Sequence, residues 1–147
     1  MLPILYTDTD AIRAVLGITE EDLEDAQLIA RNLDKELNID LLSWLPTVED
    51  LVSIGTDLQV DSIKLYSNYY CAALVAQSLR LAATQQTSDG QNSLDRYSVI
   101  DWKEIIQEMR ERASFYRSYL ITSLAETVIS TFKPFASVGL ATDPVTG

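Results

Sequence analysis

At 147 residues, with no histidine and a single cysteine, Cys71, the chain has the size of one domain. It lacks the residues for a disulfide framework, a thiolate zinc site or imidazole activation of a nucleophile. Its 22 acidic against 11 basic residues give a net charge of −11, which disfavours a phosphate-binding surface and an anionic membrane surface.

The opening Met1-Leu-Pro-Ile-Leu-Tyr6 has neither a basic n-region nor a long apolar h-region, so a chain without a signal peptide, starting in a cytosol, is expected. The longest uninterrupted apolar run, residues 71–76, is too short to span a bilayer. A first, short helix is expected with Asp8 or Thr7 as its N-cap. Ile12, Val15 and Leu16 form its apolar side, and Gly17 is placed to end it in a left-handed conformation. Thr19 is placed to cap a second helix, with Asp22 completing a weaker capping box and Glu20, Glu21 and Asp22 at the positive end of its dipole. Leu23, Ala26, Ala30, Leu33 and Leu37 then recur at three- and four-residue steps, an amphipathic stripe. Pro46 stops any helix formed by residues 40–45. Residues 47–56 read as a connecting loop with Gly55 as its flexible point.

The third helix is expected over residues 57–84, covered by Val60, Ile63, Tyr66, Tyr70, Leu74 and Leu81. From residue 69 to 76 it is apolar all round, which predicts the central buried helix. Residues 87–96 form a polar loop on the tight-turn signal Ser88-Asp89-Gly90. Asp101 and Glu104 make a capping box for a fourth helix, whose stripe Ile105, Met109, Ala113, Tyr116, Leu120 and Leu124 is continuous. Glu108 and Arg112 make an i,i+4 ion pair on its outer face. Phe115, Tyr119 and Thr122 form a second, partly apolar stripe, so this helix needs two neighbours, and another subunit is one way to supply the outer one.

Helical periodicity fades after Val128. Residues 130–147 carry only Lys133 and Asp143 as charges, with Pro134, Gly139 and Pro144 as breakers. Disordered segments have low hydrophobicity and high charge, and this one has neither. It reads as an extended arm that buries Phe132, Lys133, Phe135, Val138 and Leu140 against a partner. The expected organisation is all-α: a four-helix, mainly antiparallel bundle over residues 1–129 and an extended C-terminal arm over 130–147.

Few residues point to chemistry. The run Glu20, Glu21, Asp22, Glu24, Asp25 lacks the alternating oxygen ligands around a glycine that a calcium loop needs, and reads as a solvated helix start. Asp8 and Asp10 lack the rest of such a loop, and capping is their expected work. Cys71 reads as a small buried hydrophobe, and Tyr66, Tyr69 and Tyr70 as core aromatics. No phosphate-cradling loop occurs among the five glycines, and nothing singles out a carboxylate pair for glycoside hydrolysis. The expectation is therefore a protein that is not an enzyme, with no catalytic residue, no cofactor and no metal.

Two segments carry a family resemblance: Asp40-Leu-Leu-Ser-Trp-Leu-Pro46, and Ser88-Asp-Gly-Gln-Asn-Ser93 followed by Arg96-Tyr97. With the capped start at residues 7–19, the order of segments over most of the chain resembles the small head-to-tail connector (adaptor or neck) proteins of tailed bacteriophages. The resemblance implies a structural virion protein, assembled in the bacterial host cytoplasm. It implies an all-helical subunit of a homo-oligomeric ring, twelve copies by that resemblance, beneath the portal protein. Its partners would be the portal and the tail or neck proteins, with the C-terminal segment as an arm docking on the portal. DNA would pass without specific binding, and no membrane is involved. A second reading rests on the residues alone: an intracellular helical protein-binding module, a regulator or antitoxin-like partner, without catalysis and with the tail as its docking peptide.

Overall fold

The computed structural model describes residues 3–4, 6–29, 31–88 and 101–131. It is mostly helical: α1 (Thr9–Leu16), α2 (Asp25–Ile29), α3 (Leu33–Trp44), α4 (Val48–Ile54), α5 (Asp57–Ser88) and α6 (Trp102–Thr131). Ahead of them β1 (Pro3–Ile4) pairs antiparallel with β2 (Thr7–Asp8), Ile4 opposite Thr7. The all-α expectation holds, with this small pairing added.

Local signals act where expected in α1. Asp8 is extended, and its Oδ1 accepts the Ala11 N–H at 2.7 Å; Gly17 ends the helix at φ 67°, a backbone state that favours glycine.

The second helix does not start at Thr19. Thr19 donates its N–H and hydroxyl to Asp22 Oδ2 at 3.0 and 2.8 Å, but this closes a turn, and helix begins only at Asp25. The cause is Arg13, whose side chain is 4% exposed. Its Nε donates to the Leu23 carbonyl at 2.8 Å, taking an acceptor that a helix would use. Its Nη2 meets Asp25 at 2.6 Å and its Nη1 meets Asp10 at 3.0 Å. Like charges at Glu20/Glu24 and Glu21/Asp25 also oppose a helix there. A further break falls at Asn32, which is left-handed at φ 54°, so the expected stripe is divided between a turn, α2 and α3. Leu23, Leu28, Leu33, Leu37 and Leu41 are nevertheless all buried, whereas Ala26 is exposed. Ala30 lies outside the described residues.

Residues 47–56, expected as a loop, contain α4. Val48 is fully buried and Leu51 packs against the core, while Glu49 and Asp50 suit the positive end of a helix. Gly55 is not a flexible point. Its φ of −68° is ordinary, but a Cβ there would stand 2.3 Å from the Leu51 carbonyl oxygen, so close approach requires glycine.

A capping box opens α5: Gln59 Oε1 accepts the Thr56 N–H at 3.0 Å and Thr56 Oγ1 accepts the Gln59 N–H at 3.3 Å. Cys71, Ala72, Ala73, Val75 and Ala76 are buried, as a central helix demands. Leu81, expected as cover, is 61% exposed, and Leu74 is only half-buried. Thr87 and Ser88, expected to open a polar loop at residues 87–96, belong to α5; the remainder lies outside the described residues.

Asp101 Oδ1 caps α6 by accepting the N–H groups of Lys103 and Glu104 at 3.1 and 3.3 Å. Met109, Ala113 and Leu120 of its stripe are buried, joined by Trp102 and Ile106. Gln59 meets Ser123 at 3.3 Å, Tyr69 stacks on Tyr116, and Gln77 meets Arg110 at 3.2 Å. Advancing along α5 thus means retreating along α6, and this long pair runs in opposite directions. Leu16, at the end of α1, packs with Trp102 and Ile106 against Ala76. The helix continues to Thr131, two residues into the expected arm, because Pro134 and not Val128 is the first residue to forbid it. Residues 132–147 lie outside the described residues.

Two outcomes follow in solution. Leu120→Ala, at a fully buried site, should cost about 2–5 kcal/mol by denaturant unfolding, and Leu74→Ala distinctly less. Arg13→Ala should cost roughly 3 kcal/mol, since it strips partners from Asp25 and the Leu23 carbonyl.

The Thr9 hydroxyl first, and then Arg13, hold the Asp25 carboxyl below its usual value against the opposing effect of burial. A depressed carboxyl contributes stability above its unfolded value of about 3.9, and that stability is lost as pH falls through the folded value. Unfolding midpoints below about pH 4 should therefore drop, and drop less steeply in Asp25→Asn.

Candidate functional site

Where α3 and α6 diverge on the surface of α5, they leave a cleft of about 300 Å³. Asp40 comes from α3, Tyr66, Tyr70 and Leu74 from α5, and Arg110 and Arg117 from α6. One turn of α3 places Trp44 beside Asp40, whose Oδ2 accepts the indole N–H at 3.2 Å. The same oxygen accepts the Tyr66 hydroxyl. Tyr66 meets Trp44 edge-on at 5.0 Å between ring centres and stacks on Tyr70 at 5.8 Å. The Arg117 guanidinium lies 5.1 Å from the Trp44 ring centre, a cation–π contact. Arg110 Nη2 donates to Gln77 Oε1.

Burial first, and then the bond to Asp40 and its charge, push the Tyr66 phenol well above its ordinary range. Tyr70 is raised too, by burial and then by Asp40 and Glu36. Both remain neutral donors at physiological pH. Asp40 already receives two donors, so it acts as an anchor for Trp44 and Tyr66. The cleft thus offers guanidinium and hydroxyl donors above an aromatic wall, a surface suited to an acceptor-rich group. Elsewhere on α5, burial first and then the charges of Asp34 and Glu36 push the Cys71 thiol up to about 12. It is a packed thiol, as expected.

A second surface lies on α6. Phe115 is 65% exposed and Tyr119 38%, one turn apart and off the buried stripe. Glu108 and Arg112 pair beside them at 3.1 Å, as expected. The acidic residues Glu20, Glu21, Glu24 and Asp25 line an open depression after α1. Among the described residues, no group of three or more Cys, Asp or Glu side chains is placed to hold a metal ion. Also among them, no helix is long and apolar enough to cross a membrane.

The residues expected to bind a partner, Phe132, Lys133, Phe135, Val138 and Leu140, lie outside the described residues, as does most of the Ser88–Ser93 segment. The segment Asp40–Pro46 forms the end of α3 and supplies Asp40 and Trp44 to the cleft. Its i,i+4 spacing was visible in the sequence; its meeting with Tyr66 and Arg117 was not. Comparison with family models, with curated proteins and with solved structures returned no match.

Replacing Asp40 by Asn removes the negative charge that opposes ionisation of Tyr66 and Tyr70. Tyrosinate absorbance in an alkaline titration should then show both phenols moving down toward about 10, while burial still holds them above that value.

Proposed function

We propose that this chain is a structural assembly subunit, acting by contact rather than by turnover. Within that class our reading is a head-to-tail connector (adaptor or neck) protein of a tailed-bacteriophage virion, forming a homo-oligomeric ring beneath the portal through which DNA passes. The observation that carries it is the apolar stripe on the outer face of α6. Phe115 and Tyr119 stand exposed on a helix whose other face is already buried, and contiguous exposed apolar surface marks an interaction site. The resemblance of the segments Asp40–Pro46 and Ser88–Ser93 directs that contact to a ring.

The finer fold belongs to the same proposal. It is a four-helix, mainly antiparallel bundle, with α5 and α6 as the long pair and α1 and α3 as shorter members. The C-terminal segment is an extended arm whose Phe132, Lys133, Phe135, Val138 and Leu140 meet the portal or a neighbouring subunit. Burial of each large apolar side chain there contributes roughly 1.5–3 kcal/mol. A net charge of −11 per copy supports a conduit that repels its DNA instead of holding it.

Electron microscopy of the purified chain, alone and mixed with the portal protein of the same genome neighbourhood, tests the proposal. Annular assemblies that dock on portal rings are expected. Truncation after Thr131 should keep helicity and Tm but abolish docking. A chain that stays monomeric and ignores the portal would leave the helical protein-binding module in its place. A large fall in Tm with docking intact would assign the tail to the core.

A further inference from the structure

The cleft and the acidic turn belong to different sides of α5. Asn68, which accepts the Thr7 hydroxyl ahead of α1, and Tyr70, which lines the cleft, are two residues and so roughly 200° apart around α5. The turn at residues 20–24 follows α1, whose last residue, Leu16, packs at Ala76, and is tied to α1 by the Arg13–Leu23 bond, so it leaves from another side of α5 than the cleft.

Their charges are complementary. Glu20, Glu21 and Glu24 are exposed and form no ion pair among the described residues. Arg110 and Arg117 are exposed on the lip of the cleft, seven residues and about 10 Å apart along α6. Neither has a carboxylate partner among the described residues: Arg110 bonds the Gln77 amide, and Arg117 covers the Trp44 ring. Asp40, the cleft's own anion, already accepts from Trp44 and Tyr66. Two guanidiniums without a carboxylate partner thus line the cleft beside the occupied Asp40, with Glu36 near enough for its charge to reach Tyr70, on a chain of net charge −11. Tyr70 and Leu74, both half-buried, add apolar surface beneath.

We propose that this cleft is the acceptor half of a contact between copies of the chain, and that residues 20–24 of a second copy are the donor half. Donor and acceptor are different patches on different sides of the chain, so the contact is heterologous, the type that generates a ring when its rotation closes. Closure into a ring rests on the connector reading; the pairwise contact rests on the charges alone.

Sedimentation velocity of the full chain over a concentration series tests it. Association is expected at low ionic strength and should weaken as salt screens the charges. Arg110→Glu with Arg117→Glu should weaken it by roughly tenfold or more, and so should Glu20→Lys, Glu21→Lys and Glu24→Lys together. The neutral pair Arg110→Gln, Arg117→Gln should act in the same direction, with circular dichroism unchanged throughout. Mixing the two reversed variants should restore association, since each then offers the other a complementary half. A chain that stays monomeric at every concentration overturns the contact, as does association that survives both reversals. Association lost only on removal of residues 132–147 overturns it in favour of the tail as occupant. Portal-bound rings untouched by the reversals would sink the cleft contact and leave the connector reading. Charge-dependent association without portal binding would do the opposite.

Discussion

A helix that is apolar around its whole circumference must be covered from several directions at once, and residues 69–76 of α5 set that requirement. α6 covers the side bearing Tyr69 and Ala76, stacking Tyr116 on one and packing Trp102 and Ile106 on the other. α3 covers the side of Tyr66 through Trp44, with Leu37 and Leu41 in the same core. α1 lies on the side of Asn68. Short helices suffice for two of these faces because only about two turns of α5 need them. The cleft is the remainder: between α3 and α6 the cover is incomplete, and Tyr70 and Leu74 stay half-exposed.

Two carboxylate-centred clusters hold the shorter elements in place. Arg13 gathers Asp10, Asp25 and the Leu23 carbonyl, and so determines how the chain turns from α1 into α2. Asp40 gathers Trp44 and Tyr66, and so ties the end of α3 to α5. Charges and hydroxyls taken out of water are costly unless paired. Among the described residues no buried side-chain nitrogen or oxygen lacks a partner. Polar satisfaction here coincides with the joints between helices, where apolar packing alone leaves the direction of the chain open.

The surface left over is sorted by kind. α6 presents aromatic side chains outward at Phe115 and Tyr119, and two arginines at the cleft. The turn after α1 presents the carboxylates of Glu20, Glu21 and Glu24. An acidic protein with Arg110 and Arg117 together on one lip has an asymmetry that directional self-contact can use, which a uniformly acidic surface lacks.

Much of this was legible in the amino-acid sequence because it acts over a turn or less. Asp8, Gly17 and Asp101 bound their helices through side chains and backbone a few residues away, and the all-round apolar run of α5 needs no partner to be seen. The capping box of Thr56 and Gln59 was equally local and was overlooked. The misplaced start of the second helix has a different origin: Thr19 and Asp22 bond as their spacing suggests, but Arg13 claims the Leu23 carbonyl from ten residues away. α4 was hidden because seven residues are too few for a periodic signal, and burial of Val48 stabilises it. Asp40 and Tyr66 are 26 residues apart and meet only after α3 and α5 pack. Sequence by itself determined the long helices, their caps and the acidic character, since propensity, capping and charge are properties of near neighbours. Tertiary structure alone decided where the chain breaks, which hydroxyls and guanidiniums share a cleft, and which faces stay open, since those depend on side chains that only packing brings together.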